Sequence, residues 1–157
     1  MSTYDTAQIC KNGHVITSYA NGYASSRENY CSDCGSQTMM QCPKCNQAIK
    51  GSATEYGYLG TYIAPSYCYA CGNPFPWTSE KLSVARELIE LDSNLLDEDI
   101  TELSNNMEFL ISETPRTNLA AMKFKKFLSK AGSTTASALK DILVDIASET
   151  AKKIIWS

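Results

Sequence analysis

Eight residues in this chain have the types and spacing to hold metal: Cys10, His14, Cys31, Cys34, Cys42, Cys45, Cys68 and Cys71. They are all seven cysteines and the only histidine of the 157 residues. Cys31/Cys34, Cys42/Cys45 and Cys68/Cys71 are three CxxC pairs, and Cys10/His14, in CKNGH, is a fourth. Two donors two or three residues apart fit on one tight turn and grip one edge of a metal ion; a second turn closes the tetrahedron. Each turn also needs a residue tolerant of positive φ, and Gly35, Asn46 and Gly72 directly follow a second cysteine while Gly13 precedes His14. Pro43 pre-sets one turn further.

Pairing in chain order gives Cys10/His14/Cys31/Cys34 and Cys42/Cys45/Cys68/Cys71, with 16 and 22 residues between the pairs. Two-pair zinc sites commonly leave about 15–20 residues there, so the first fits and the second is slightly long. A cross-braced arrangement, first pair with third and second with fourth, is the alternative. The seven residues between Cys34 and Cys42 suffice to join two consecutive ribbons, which favours chain order. Four pairs that use every Cys and His predict two structural Zn²⁺ sites. A disulfide framework would leave one of seven cysteines over and needs an oxidising compartment. The opening MSTYDTAQ has neither a charged nor an apolar leader segment, so a cytoplasmic protein is expected.

The elements that must position these ligands are small. Residues 1–78 form the predicted metal domain, with short strand signals at Val15-Ile16-Thr17 and from Tyr58 to Ile63. The stretch GSATEYGYLGTYIAPSY reads as a hairpin or ordered loop. All nine tyrosines lie in this half. So small a region buries too little apolar surface to fold alone, and metal must supply roughly 10 kcal/mol or more per site. The exit Pro74-Phe75-Pro76-Trp77 reads as a stiff, non-helical link whose two aromatics pack inward.

The runs QICKNGHVI, YCSDCG, QCPKCNQAI and SYCYACGNPFPWT resemble an uncharacterised bacterial family of small zinc-ribbon proteins. The resemblance spans roughly residues 4–80, knuckles and FPWT exit in the same order. It implies zinc and a bacterial or bacteriophage source, and it implies no activity.

Residues 79–157 predict an α-helical domain, so the fold class is α+β: two consecutive zinc ribbons followed by a bundle of about four helices. Ser79 caps the first, with Leu82, Ala85, Leu88 and Ile89 as its apolar stripe. The second starts near Asp97 and the third at Thr114-Pro115. A fourth runs unbroken from Ser133 or Thr134 to about Trp156. Its apolar residues would cover about 220° of the circumference, against the 100° or so a rim helix needs. That width predicts either a central helix or one that completes its burial against another chain, a different protein or a second copy joined through residues 137–156.

The formal charge is −3; seven thiolates and two Zn²⁺ would take it to about −6. Between Glu80 and Glu113 ten acids face only Lys81 and Arg86, and the five bases of Arg116–Lys130 stand apart from any acid. The simpler reading of those bases is a solvated face steered toward the acidic helices; a nucleic-acid stripe is the sharper one. No apolar run approaches the ~20 residues of a bilayer span. An enzyme is hard to build, because no thiol or imidazole is left over and a four-ligand zinc has no open position. The expected function is a non-catalytic zinc-binding protein-interaction module, an adaptor, regulator or inhibitor with a protein partner. The alternative is a nucleic-acid-binding zinc ribbon, against which the net charge argues.

Overall fold

A computed structural model describes residues 3–54 and 61–157. The chain divides into two compact units, Met1–Ser79 and Glu80–Ser157. Small antiparallel sheets occupy the first and helices the second, the α+β class that the sequence predicts.

In the first unit, β1 (Tyr4–Thr6) pairs with β5 (Lys50–Ala53). A second sheet has the order β3-β2-β4, with β2 at Gln8–Cys10, β3 at Val15–Thr17 and β4 at Thr38–Met39. The Val15–Thr17 strand lies where the sequence places it. Half of the expected strand at Tyr58–Ile63 lies outside the described residues, and its last residues, 61–63, are not in a strand. The sheets are too short to enclose much. Ala7, Ile9, Ile49, Phe75 and Trp77 make the core together with two of the cysteines, Cys42 and Cys68.

Buried polar groups in this unit are satisfied locally. Asp5 accepts the amides of Thr6, Asn21 and Gly22 at 2.6, 2.9 and 2.9 Å. Burial pushes its carboxyl up, but those three amides and Arg27 outweigh burial and hold it below the usual range. Gln8 spans from β2 to the knuckle segment, donating to the Glu28 carbonyl at 2.7 Å and to Thr38 Oγ1 at 2.8 Å.

The helical unit is divided more finely than the sequence suggests. Helix α1 spans Pro76–Leu91, so the PFPW exit is helical from its second proline onward. A proline is tolerated at a first helical position because its missing N–H would have had no partner there. The second predicted helix is α2 (Asp97–Asn106) followed by the single turn α3 (Glu108–Ile111). Helix α4 is Thr117–Lys130, starting two residues after Pro115.

The long last helix is two: α5 (Ser133–Ile146) and α6 (Glu149–Ile155). Ala147 is extended, with ψ at 145°, and Ser148 caps α6 by accepting the Ala151 amide at 3.2 Å. The Ser148 amide donates to the Leu110 carbonyl at 2.8 Å, and the Thr150 amide to Glu113 Oε1 at 3.1 Å. These bonds from the 110–113 turn satisfy donors that a continuous helix would have used internally. The 220° apolar face projected for one helix therefore does not exist as one face. Phe124, Phe127, Leu139, Leu143, Ala151 and Ile155 fill the core of this unit.

Two bases of α4 turn to acids of α2. Lys123 Nζ lies 2.7 Å from Glu102 and Lys130 Nζ 3.7 Å from Asp99. This is the simpler of the two readings of the basic run.

Candidate metal centres

Each CxxC sits at the tip of the same small hairpin. The residue before the first cysteine bridges the third residue after the second: Tyr30 with Gln37, Gln41 with Ala48, Tyr67 with Pro74. Inside that bridge, Gly35, Asn46 and Gly72 donate their amides to the carbonyls of Cys31, Cys42 and Cys68 at 2.7–2.8 Å. These three residues have φ of +74°, +64° and +75°, the left-handed turn that lets the chain fold back under the sulfurs. CKNGH makes a related turn between β2 and β3. The Cys10 amide donates to the His14 carbonyl, and the amide of Gly13, at φ +91°, donates to the Cys10 carbonyl.

The four turns converge in chain order, in two groups: Cys10, His14, Cys31 and Cys34, then Cys42, Cys45, Cys68 and Cys71. Within each group all donor atoms lie within 4.8 Å of one another. The cross-braced alternative is not what the fold adopts. In the first group Cys10 Sγ is 3.4 Å from His14 Nδ1 and 3.7 Å from Cys34 Sγ, and Cys31 Sγ is 3.6 Å from Nδ1. In the second, Cys42 and Cys71 are 3.8 Å apart, Cys45 and Cys68 3.7 Å. A tetrahedron with Zn–S bonds of about 2.3 Å and Zn–N of about 2.0–2.1 Å has edges of about 3.8 Å (sulfur to sulfur) and 3.5 Å (sulfur to nitrogen). The donor set and its spacing therefore fit a four-coordinate metal. All eight residues singled out by spacing are in the two clusters, and Nδ1 is the ring nitrogen that faces the sulfurs.

Both groups alternate in burial. The first ligand of each turn is buried and the second exposed. The exposed sulfurs carry polar support that spacing alone did not reveal. Asn12 Nδ2 donates to Cys34 Sγ at 3.3 Å, and Asn73 Nδ2 to Cys71 Sγ at 3.3 Å. The Ser36 hydroxyl and amide, with Asn12, draw the Cys34 thiol down to about 5. Asn73, through side chain and backbone, draws Cys71 down to about 6. The Gln47 amide also favours a thiolate at Cys45, but loss of solvent and the sulfurs of Cys68, Cys71 and Cys42 push it up to about 12. Burial likewise raises Cys10. Such a spread is what three or four crowded sulfurs show when only some are given donors: they cannot all ionise until a cation offsets their repulsion. The signal in the sequence was an Asn two residues beyond Cys10 and Cys71.

The exit segment braces both centres. The Phe75 and Trp77 rings stack at 4.7 Å with 13° between planes, and both are buried, as expected for an inward-packing pair. Trp77 Nε1 donates to the Pro65 carbonyl at 2.9 Å, and Thr78 Oγ1 to the Ser66 carbonyl at 2.9 Å, just before Cys68. On its other side Trp77 meets the first turn at Gly13.

Among the described residues no helix is long and apolar enough to cross a membrane. No curated protein matches the chain, and no solved structure does. One family model matches residues 3–155, which takes in the helical unit as well as the metal-bearing one. The chain thus belongs to the family described as "Uncharacterized protein conserved in bacteria (DUF2321)".

Proposed function

We propose that the protein is a non-catalytic interaction module whose first unit is held in shape by two structural Zn²⁺ ions and whose partner is another protein. The observation that carries this reading is the completeness of each donor set. Four side chains converge at tetrahedral spacing in each cluster, so protein atoms alone fill a zinc coordination shell. Bound there, zinc supplies cross-linking and no open Lewis-acid position. The same ligands exhaust the thiols and the imidazole of the chain, which leaves no nucleophile or base of those types for chemistry elsewhere. Thiolate ligands suit the reducing cytoplasm, where the protein is expected to work.

A protein partner is favoured by the surface of the first unit. Tyr4, Tyr23, Tyr30 and Tyr69 are exposed. Tyrosine offers large contact area at small entropic cost. The same rings could stack on bases, which keeps a nucleic-acid reading as the second choice. Against it stand the net charge of −3 and the pairing of Lys123 and Lys130 with Glu102 and Asp99.

Elemental analysis with X-ray absorption on the purified protein tests the metal. The expected result is two zinc per chain, one held by three sulfurs and a nitrogen and the other by four sulfurs. An oxygen ligand in either shell would overturn the structural role. A gel-shift titration with single- and double-stranded oligonucleotides at low salt separates the partners: a shift at micromolar protein would replace the protein-partner reading with the nucleic-acid one.

A further inference from the structure

The helical unit carries two surface features of opposite charge. The first is a groove between α4 and α6, about 490 Å³, with Met122 and Ile154 on its floor and Lys125, Lys126 and Lys153 around it. No acid lines it. Met122 is 62 % exposed, and Leu119, one turn earlier on α4, extends the apolar strip at 46 %. Lys125 is tied to the carbonyl and hydroxyl of Ser157 at 2.9 and 3.0 Å, whereas Lys126 and Lys153 form none of the ion pairs found among the described residues.

The second feature is the corner joining α1 to α2. Leu91 is 81 % exposed and Leu96 68 %, the most outward large apolar residues of this unit. Glu87, Glu90, Asp97 and Glu98 surround them in sequence, all exposed and none in an ion pair among the described residues. The acids of this half that do face a base are others: Asp99, Glu102, Glu108, Asp145 and Glu149 in ion pairs, and Glu113, which feels the charge of Lys153. Two leucines with four free carboxylates are the counterpart of an apolar floor rimmed by lysines.

We infer that the basic groove between α4 and α6 receives the acidic leucine corner of a second copy of this chain. Every chain carries one groove and one corner, so a two-fold pair makes the contact twice and closes, while a head-to-tail repeat would extend. Buried leucine supplies the attraction, and the rim charges set which patch meets which. The association is accordingly sensitive to salt. This inference rests on the interaction-module reading and names one of its partners. It also replaces self-association through one continuous helix over 137–156 with a site that uses α6 and α4.

Sedimentation equilibrium of the zinc-loaded full chain at tens of micromolar tests it, with metal content and circular dichroism measured on every variant. The wild type should be a dimer or larger at low salt and shift toward monomer at high salt. Lys126→Glu with Lys153→Glu should be monomeric, as should Glu90→Lys with Glu98→Lys, each with two zinc and unchanged helicity. Mixing the two variants should restore a heterodimer, because the exchanged groove of one meets the exchanged corner of the other while the two untouched faces meet as in the wild type. A wild type that stays monomeric with full zinc overturns the inference while leaving the metal reading intact. A dimer that survives both double substitutions overturns the assigned faces. Loss of zinc from the wild type would instead count against the reading beneath it.

Discussion

Trp77 packs against Gly13: a Cβ placed on Gly13 would lie 3.0 Å from the Trp77 Cβ and 3.1 Å from its Cγ. The turn that presents His14 is thus closed from outside by the first helical turn after the last CxxC. Gly13 is also at φ +91°, so both its backbone and its missing side chain are needed. Gly35 and Gly72 have similar φ, but nothing lies within 4 Å of where their Cβ would stand.

Three Gly→Ala variants should therefore rank. Gly35→Ala and Gly72→Ala should each cost about 1–2 kcal/mol, the ordinary penalty for a left-handed non-glycine residue. Gly13→Ala adds the collision with Trp77 and should cost more. It should also change Trp77 fluorescence and weaken metal retention at the Cys10/His14/Cys31/Cys34 centre. Equal losses at the three positions, by chemical denaturation, would remove the brace between Trp77 and the first turn.

Metal removal should act on one unit. The first unit's apolar core is a handful of residues, two of them cysteines, whereas the second has its own core of phenylalanine, leucine and isoleucine. Chelation should abolish the Trp77 environment and the dispersion of the metal-bearing unit. Most far-ultraviolet helical signal should survive, since α2 to α6 lie wholly in Glu80–Ser157. Simultaneous collapse of both signals at one chelator concentration would show that the helices depend on the metal.

Acid should loosen the helical unit through two carboxylates that cap helices from a distance in sequence. Asp92 receives the Gly132 amide at 2.9 Å at the start of α5, and Glu113 the Thr150 amide at the start of α6. The Thr135 hydroxyl, then the Gly132 and Asn94 amides, hold Asp92 below its usual range; the Thr150 hydroxyl and amide do so for Glu113. A lowered folded pKa means stability present above the unfolded value and lost as pH falls through the folded one. The unfolding midpoint should drop below about pH 4, where free carboxyls titrate. Asp92→Asn with Glu113→Gln should flatten that acid limb; an unchanged limb would assign it to other groups.

Ser148→Ala should destabilise the helical unit by about 1 kcal/mol, the usual worth of a serine N-cap. Ser148→Thr should preserve stability, because its hydroxyl accepts the same amide and still donates to the Glu113 carboxylate. If alanine at 148 left the midpoint unmoved, the break between α5 and α6 would owe nothing to its cap.

The metal ligands were legible because chemistry dictates them locally: two donors on one turn need a fixed spacing and a residue that tolerates positive φ, and both are written in each CxxC. Which turns share a metal was less so, since chain-order and cross-braced pairings use the same residues. The break at Ala147-Ser148 was missed for a different reason. No glycine or proline marks it, and the donors of Ser148 and Thr150 are satisfied by Leu110 and Glu113, more than thirty residues away. Pro76 misled in the opposite sense, because a proline stops a helix from its interior and starts one from its first position. Asn12 and Asn73 went unread because an amide donor to sulfur leaves no periodic trace.

The alternation of covered and uncovered ligands along each turn has a consequence for exchange. A metal bound in either centre is anchored on its inner side by Cys10 and Cys31, or by Cys42 and Cys68, and meets water only through His14 and Cys34, or Cys45 and Cys71. A competing chelator or an electrophile would approach from that outer side, so departure should proceed by releasing the outer pair first. The inner pair then remains as a two-sulfur foothold from which the ion can be recaptured before the unit comes apart.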